Sequence, residues 1–534
     1  MRALLRFAST ACLATALSSA VARSATFDLQ TATVADISAA MNAGALSSEK
    51  LVGLYLKRIE AYDKAGPKIN SIITLNPRAL EIARELDAER KAKGPRGPLH
   101  GVPVVLKDLF DTKDMPTSGG FLPLKDSIPL YDATVVARLR DAGAIIFAKV
   151  NMSDWFGSPK PGDQSTVLGR TNNPYNLDLS PGFSSGGTGA ALAAAFGHLG
   201  LGSETGVSIR NPTSNNSLVG LAPTRGLIPR TGQIMTSFTQ ERCGPMARSV
   251  YDVAALTTVV AGFDAEDLLT ISSPGMTPKE PYTAFLDKNG LRGARIGVFR
   301  DLFRKGESHA EGTAMIEKAI AQMKEAGAVI IDPISTGLDL FTLLAETRTN
   351  YYEAQFSYNL YFRRLGPNAV IRNMDELLEK GGPLVKANIA RGYKEFNSLM
   401  HQPDFIARRE TQEVLRAEIL ALMEKHRLDA VVHPFKTLPS SPHLERGPEQ
   451  DNPFSSVTGL PALLVPAGYT AKENGPISIE FLGRPWSEPT LFKLAYAYEQ
   501  LSRVRKNPPT TPALPGEQFT YTPAASATLA TVNQ

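Results

Sequence analysis

Along the chain, apolar positions recur with two different periods. From Thr33 to Ala43 and from Ser47 to Tyr62 they return every three or four residues, which predicts two helices. Gly44 stops the first, and Ser47 or Ser48 caps the second. Leu51, Leu54, Tyr55, Ile59 and Tyr62 fall on one face. Pro77 suits the first turn of a third helix that ends near Gly94-Pro95. Short apolar runs stand between such segments. Gly101 to Leu106 is one, ended by Lys107-Asp108; Ala144 to Ala148 is another, after a helix over Thr134–Ala142 and a stop at Gly143. Leu428–Pro434 and Ala462–Pro466 are two more. These runs are too short for helices and predict buried strands. Ile477–Leu482 alternates apolar and polar residues, which predicts a strand with one wet face, and Leu491–Leu501 predicts a closing helix. Strand and helix alternate, so the pattern predicts an α/β layered architecture.

Two regions depart from this rhythm. Ser180 to Gly232 is rich in Gly and Ser, and its stretch GAALAAAF (189–196) predicts a tightly packed small-residue helix. Asp301 to Leu428 is more helical and more polar, and holds the aromatic-rich segment FTLLAETRTNYYEAQFSYNLYFRRL. No clean linker and no internal repeat divides the chain. The organisation expected is one large domain over 23–534, with a helical insertion at about 330–425. NPPTTPALPG reads as a terminal strap and the Ala/Thr tail after it as a frayed end.

Composition narrows the function classes. The chain has 534 residues, 43% hydrophobic and 21% charged, with a formal net charge of +4. A charge so small and scattered does not point to nucleic acid. No CxxC, HExxH or GxxxxGK[ST] occurs, so no metal or nucleotide cofactor is signalled. Met1 to Arg6 is a short basic start. Phe7 to Ala22 carries no charge, and Ala20-Val21-Ala22 offers a small-residue cleavage site. Residues 1–22 therefore read as a secretory signal peptide, too short to anchor in a bilayer, and the mature protein is expected to be exported with a charge of about +2. Cys12 would leave with it. Cys243 would be the one remaining cysteine, unable to form an internal disulfide and read as a structural thiol.

Three places are candidates for chemistry. Lys107 ends an apolar strand; solvated, it is a plain strand end, but buried it would lose its proton easily and act as a base. Ser184-Ser185-Gly186-Gly187 precedes a helix; it serves as a cap and turn, or it holds a hydroxyl at the site. Ser208 follows Thr205-Gly206-Val207, where successive backbone N–H groups would cradle an oxyanion. Each alone has an ordinary structural reading. None of the histidines, His100, His198, His309, His401, His426, His433 or His443, carries a recognisable triad motif.

Taken together and in order, GVPVVLKD, SPGFSSGG and GSETGVSIRNP resemble the amidase signature family. ATVVARLRDAGAIIFAKVNMSDW, GRTNNPYNLDLSPG, VGLAPTRGLIPRTG, GPMARSVYDVAAL and VTGLPALLVPAGYT extend the resemblance over residues 30–513, most weakly at about 330–425. It implies the amidase signature fold, a large central mixed β-sheet between layers of α-helices. It also implies a Ser–Ser–Lys triad: Lys107 as base, Ser184 as bridging serine held by a cis peptide bond, and Ser208 as nucleophile. Thr205, Gly206 and Val207 would form the oxyanion hole. Ser185, Glu204 and Arg210 would support it, with Glu204 a candidate partner for Arg210. Phe156 and Phe183 would line the substrate pocket. Ser203 is read as a loop residue.

The chain departs from the family's pattern at three points. Val207 stands where a glycine is usual before the nucleophile, and is expected at negative φ because a β-branched residue tolerates positive φ badly. Phe183 replaces a glycine before the serine pair, and Glu204 replaces an aspartate. The reaction implied is hydrolysis of a C–N bond in amides, anilides or carbamates (urethanes), with side esterase activity, as in an aryl acylamidase or urethanase. A small-molecule amide or carbamate is then the partner, with no nucleic acid, no membrane and no cofactor or metal, in a monomer or homodimer. Three other readings compete. One is a peptide C-terminal amidase. Another is the A-type subunit of a glutamyl-tRNA amidotransferase, which the signal peptide disfavours. The last is a non-catalytic binding protein.

Overall fold

The computed structural model describes residues 24–157, 164–367, 369–387, 389, 390, 393, 403–442 and 452–524. The expected signal peptide lies outside them.

Eleven strands form one mixed sheet, numbered here in chain order. They are β1 Ile72–Leu75, β2 Pro103–Lys107, β3 Ile145–Val150, β4 Leu199–Glu204, β5 Val219–Ala222 and β6 Arg242–Ala247. β7 Arg295–Phe299, β8 Val329–Ile334, β9 Ala430–Pro434, β10 Ala462–Tyr469 and β11 Pro476–Leu482 complete it. Their spatial order is β8-β7-β9-β11-β10-β5-β6-β4-β2-β3-β1. β2 runs parallel to both β3 and β4, while β6 lies antiparallel between β4 and β5. The C-terminal ends of β2 and β4 therefore meet at one edge, where ligands gather in parallel-sheet proteins.

The helices follow the pattern seen in the sequence. Val34–Asn42 carries a full capping box between Thr33 and Asp36, and Gly44 turns away at φ +70°. Ser48–Tyr62 is capped by Ser47 and buries Leu51, Leu54, Tyr55 and Ile59. Ala79–Lys93 ends at Gly94, and Thr134–Asp141 feeds β3 through Gly143. The aromatic segment forms two helices, Leu340–Glu346 and Asn350–Arg364, broken at Thr347–Thr349.

Two expectations need correction. β11 has no wet face: every residue from Pro476 to Leu482 is buried, including Ser478 and Glu480. It sits inside the sheet between β9 and β10 rather than at an exposed face, and its polar Glu480 is satisfied by Arg210. The tail after the NPPTTPALPG strap, expected to fray, is ordered at its start. Gln518–Tyr521 pairs antiparallel with Ala25–Asp28, and Phe27 stacks on Phe519 at 4.9 Å.

Candidate active site

Lys107 is the last residue of β2 and is fully buried. Its Nζ donates to Ser184 Oγ and, at 2.9 Å, to Ser203 Oγ. Among the described residues no carboxylate lies within ion-pair distance of it. Burial therefore dominates and pulls its pKa down from 10.5 to about 7, although Glu241 and Glu204 oppose the shift from a distance. An amine in that state is neutral in an appreciable fraction of molecules at neutral pH.

Ser184 reaches the lysine from the turn before the helix Gly186–Ala193. Gly182 makes this turn at φ +93°, where a Cβ would stand 2.6 Å from Pro212 Cα. Gly187 lets the helix settle on β3's exit, since a Cβ there would meet Asn151 O at 2.1 Å. The expected cis peptide at Ser184 is not found. The one cis bond among the described residues is Asp332–Pro333. With Gly182 supplying the reversal, Ser184 meets Lys107 between trans peptides. Ser185 gives its helix no side-chain cap; its hydroxyl instead donates to Ser203 O at 3.2 Å and accepts from Ser203 N at 3.3 Å. The serine pair is thus pinned to β4 by one member and to Lys107 by the other.

The loop after β4 carries Thr205, Gly206, Val207 and Ser208. None of their four backbone N–H groups has a protein acceptor among the described residues, so four adjacent donors remain available to a ligand. Val207 is at negative φ, as a β-branched residue requires, and is buried against Phe435 and Leu464. Ser208 is partly exposed. No hydrogen bond joins its hydroxyl to that of Ser184 in this structure.

A buried ion network fixes this loop. Glu204 Oε2 accepts from the N–H groups of Ile209 and Arg210 at 3.1 and 3.0 Å. Its Oε1 accepts from Arg210 Nε at 2.9 Å and Arg242 Nη2 at 2.7 Å. Arg210 also donates to Gly206 O at 2.9 Å and to both oxygens of Glu480. Burial alone would raise the Glu204 carboxyl, but the two guanidinium groups outweigh it and hold it below its ordinary value. The Arg210–Glu204 pairing expected from the sequence is present, with Arg242 and Glu480 added. Nothing local signals those two, because they lie on β6 and β11.

The aromatic side chains near the serines differ in burial and direction. Phe156 is fully buried and packs at tilted angles against Phe121, Tyr358 and Phe362, with ring centres 4.7–6.4 Å apart, in the core. Its neighbour Trp155 faces the serines instead: Nε1 donates to Ser184 Oγ at 3.2 Å, and Lys107 Nζ lies 5.2 Å from its ring centre. Phe183 is half-buried beside Ser184. Ser203, expected in a loop, is a strand residue of β4 in contact with Lys107. Strand pairing also places Cys243 opposite Ser203, fully buried, where burial pushes its thiol pKa up. His198 is likewise buried, held between Tyr55, Arg248 and Asp252 away from the serines. Among the described residues no cluster of His, Cys, Asp or Glu is suited to hold a metal ion, and no helix is long and apolar enough to cross a membrane.

Comparison with known proteins places the chain in a family. The family model described as Amidase matches residues 50–492. A probable amidase of Arabidopsis thaliana is 32% identical over 506 residues, covering 91% of this chain and 93% of the relative. The A-type subunit of the glutamyl-tRNA(Gln) amidotransferase of Moorella thermoacetica is also 32% identical, over 89% of this chain and 98% of its own. Among solved structures, the native peptide amidase of Stenotrophomonas maltophilia superposes with a TM-score of 0.82 at 37% identity, covering 90% of this chain and 98% of that one. An amidase family protein of Bacillus anthracis gives 0.79 at 33%, over 90% and 92%. The chain belongs to the amidase signature family, the hydrolases that act on amides.

Proposed function

We propose that this protein cleaves the C–N bond of a small neutral amide, anilide or carbamate through an acyl-enzyme on Ser208. The observation that carries the reading is the buried Lys107 amine, touching the Ser184 hydroxyl with no carboxylate paired to it. Neutral Lys107 takes the Ser184 proton as Ser184 takes that of Ser208, and the Ser208 oxygen bonds to the acyl carbon. Charge gathers on the carbonyl oxygen, which the N–H groups of Thr205, Gly206, Val207 and Ser208 receive; one such donor is worth about 3–4 kcal/mol. The proton held on Lys107 returns through Ser184 to the leaving nitrogen, and the C–N bond breaks. Water then enters by the same relay, breaks the acyl–oxygen bond and restores Ser208. Esters fit the same steps. Trp155 N–H, already on Ser184 Oγ, steadies that oxygen while its proton is in transit.

The region of about 330–425, within a single domain of 23–534, is read as the part that chooses the substrate. Thr349 N donates to Gln240 Oε1 at 2.8 Å, and Gln240 Nε2 donates to Thr205 O at 3.3 Å. The Arg348 guanidinium lies on Gly206, where a Cβ would stand 3.5 Å from its Cζ. These contacts tie the aromatic helices to the oxyanion loop. Trp155 gives the site a neutral aromatic side, which favours anilides and N-aryl carbamates. Hydrolysis of an acetanilide and an N-aryl carbamate, followed as free aniline, tests the substrate class. Release of ammonia alone from C-terminally amidated peptides would favour the peptide amidase reading, which the Stenotrophomonas similarity supports. Export through residues 1–22 is part of the proposal; amino-terminal sequencing of protein recovered outside the cytoplasm checks it.

A further inference from the structure

Lys107 has two hydroxyl partners, and the reaction proposed above uses only Ser184. The second, Ser203, lies on the far side of the amine, on β4. Behind it is Glu241, a fully buried carboxylate just before β6. Glu241 collects donors from several elements. Thr205 Oγ1 donates to Oε2, Thr236 Oγ1 donates to Oε2 at 3.3 Å, and Gln233 Nε2 donates to Oε1 at 3.3 Å. The Ser203 hydroxyl also faces the carboxylate as a donor. These donors favour the anion, because a carboxylate only accepts, and they work against burial, which is the larger effect and raises the Glu241 pKa. One residue therefore touches the oxyanion loop at Thr205 and stands behind the lysine through Ser203.

We propose that Glu241 is a positioning residue: through Ser203 it orients and electrostatically poises the Lys107 amine, and through Thr205 it ties that amine to the oxyanion loop. The inference rests on Lys107 being the base. The logic is that of the carboxylate behind a general base, which fixes its direction and favours its protonated form during turnover. No atom of Glu241 needs to reach the substrate.

The other charged and titratable groups around this pair are few. Glu204 faces Lys107 from the end of β4, but Arg210 and Arg242 hold it. The Cys243 thiol faces Lys107 from β6. Arg230 faces Glu241, yet its guanidinium is committed to Asp267 at 2.7 Å. The Tyr358 hydroxyl faces Glu241 from the helix Asn350–Arg364. Glu241 is thus the acid near Lys107 that no arginine neutralises directly.

Glu241→Gln keeps the shape and removes the charge. The pH profile of kcat/KM on an acetanilide is the readout, compared with Glu241→Asp and Ser203→Ala. Without the anion Lys107 sheds its proton more easily, so the acid limb of Glu241→Gln moves down by about half a pH unit or more, and the plateau falls about tenfold. Glu241→Asp keeps the charge and leaves the limb in place. Ser203→Ala removes one acceptor from the ammonium and also lowers the limb; it reads the same link if Glu241→Gln does not fold. An acid limb unmoved in both variants, with circular dichroism unchanged, overturns the proposal. Lys107→Met is the separate control: if it retains activity, the base assignment itself fails, and the role given to Glu241 falls with it.

Discussion

Lys149 lies on the strand next to Lys107, equally buried, and unlike it has a carboxylate partner: Asp108 lies 3.3 Å from the Lys149 ammonium, which also donates to Pro116 O and Thr117 Oγ1. In register, Lys149 faces Leu106 across the parallel pair, one residue short of Lys107. Burial lowers the pKa of both lysines, and at Lys149 the carboxylates Asp108, at close range, and Asp111 oppose it. Lys149 has a carboxylate at ion-pair distance, while Lys107 touches only hydroxyls and an indole, its acids standing farther off. Removing each separates structure from chemistry. Lys149→Met strands Asp108 as an unpaired buried charge and costs about 3–5 kcal/mol. Lys107→Met strands no carboxylate, so the thermal midpoint holds or rises, while activity drops about a thousandfold. Thermal denaturation and turnover of the two variants check both statements.

The same contrast sets a pH dependence. Burial holds the Lys107 pKa at about 7 in the folded protein, against 10.5 for an ordinary lysine. Only the neutral amine accepts a proton, so kcat/KM rises with pH through about 7 and levels off above it. The sign for stability follows separately. Between about 7 and 10.5 the unfolded chain carries a proton here that the folded chain lacks, so this group makes the protein more stable as pH rises through that window. A rate profile flat from about pH 5 to 9 would contradict the assignment.

Trp155 donates to Ser184 Oγ at 3.2 Å. Trp155→Phe keeps an aromatic ring over Lys107 and removes that donor. A hydrogen bond to an oxygen that gains charge in the transition state is worth about 1.5–3 kcal/mol, so kcat falls about 10- to 100-fold with KM little changed. Steady-state kinetics on one anilide decides it.

Val207 replaces a glycine usual in the family, and the structure shows what its side chain does. It closes a small cluster with Phe435 and Leu464, directly before Ser208. Val207→Gly uncovers that apolar surface and frees the loop, at a cost of about 2 kcal/mol. Differential scanning calorimetry reads the loss.

Much of this was legible from residue order. Lys107, Ser184 and Glu204–Arg210 sit in short motifs whose side chains are fixed by the end of a strand or the turn before a helix, and the structure puts Lys107 against Ser184 as those motifs suggest. What was not legible comes from pairings across the sheet. Arg242 and Glu480 reach Glu204 and Arg210 from strands 38 and 270 residues away in sequence. Ser203 read as loop because Gly and Ser surround it, yet pairing with β6 draws it into a strand. Glu480 looked solvent-facing because alternation reports polarity, and a buried ion pair has the same pattern as a wet face. Trp155 and Phe156 are adjacent, so spacing alone could not tell which ring turns to the serines.

The most direct test of the central claim is mass spectrometry of the protein after reaction with a fluorophosphonate, with turnover of Ser208→Ala measured beside it. One adduct is expected, on Ser208, blocked by Lys107→Met, together with an inactive, folded Ser208→Ala. An adduct on another residue, or a Ser208→Ala variant that hydrolyses an anilide at the full rate, would contradict it.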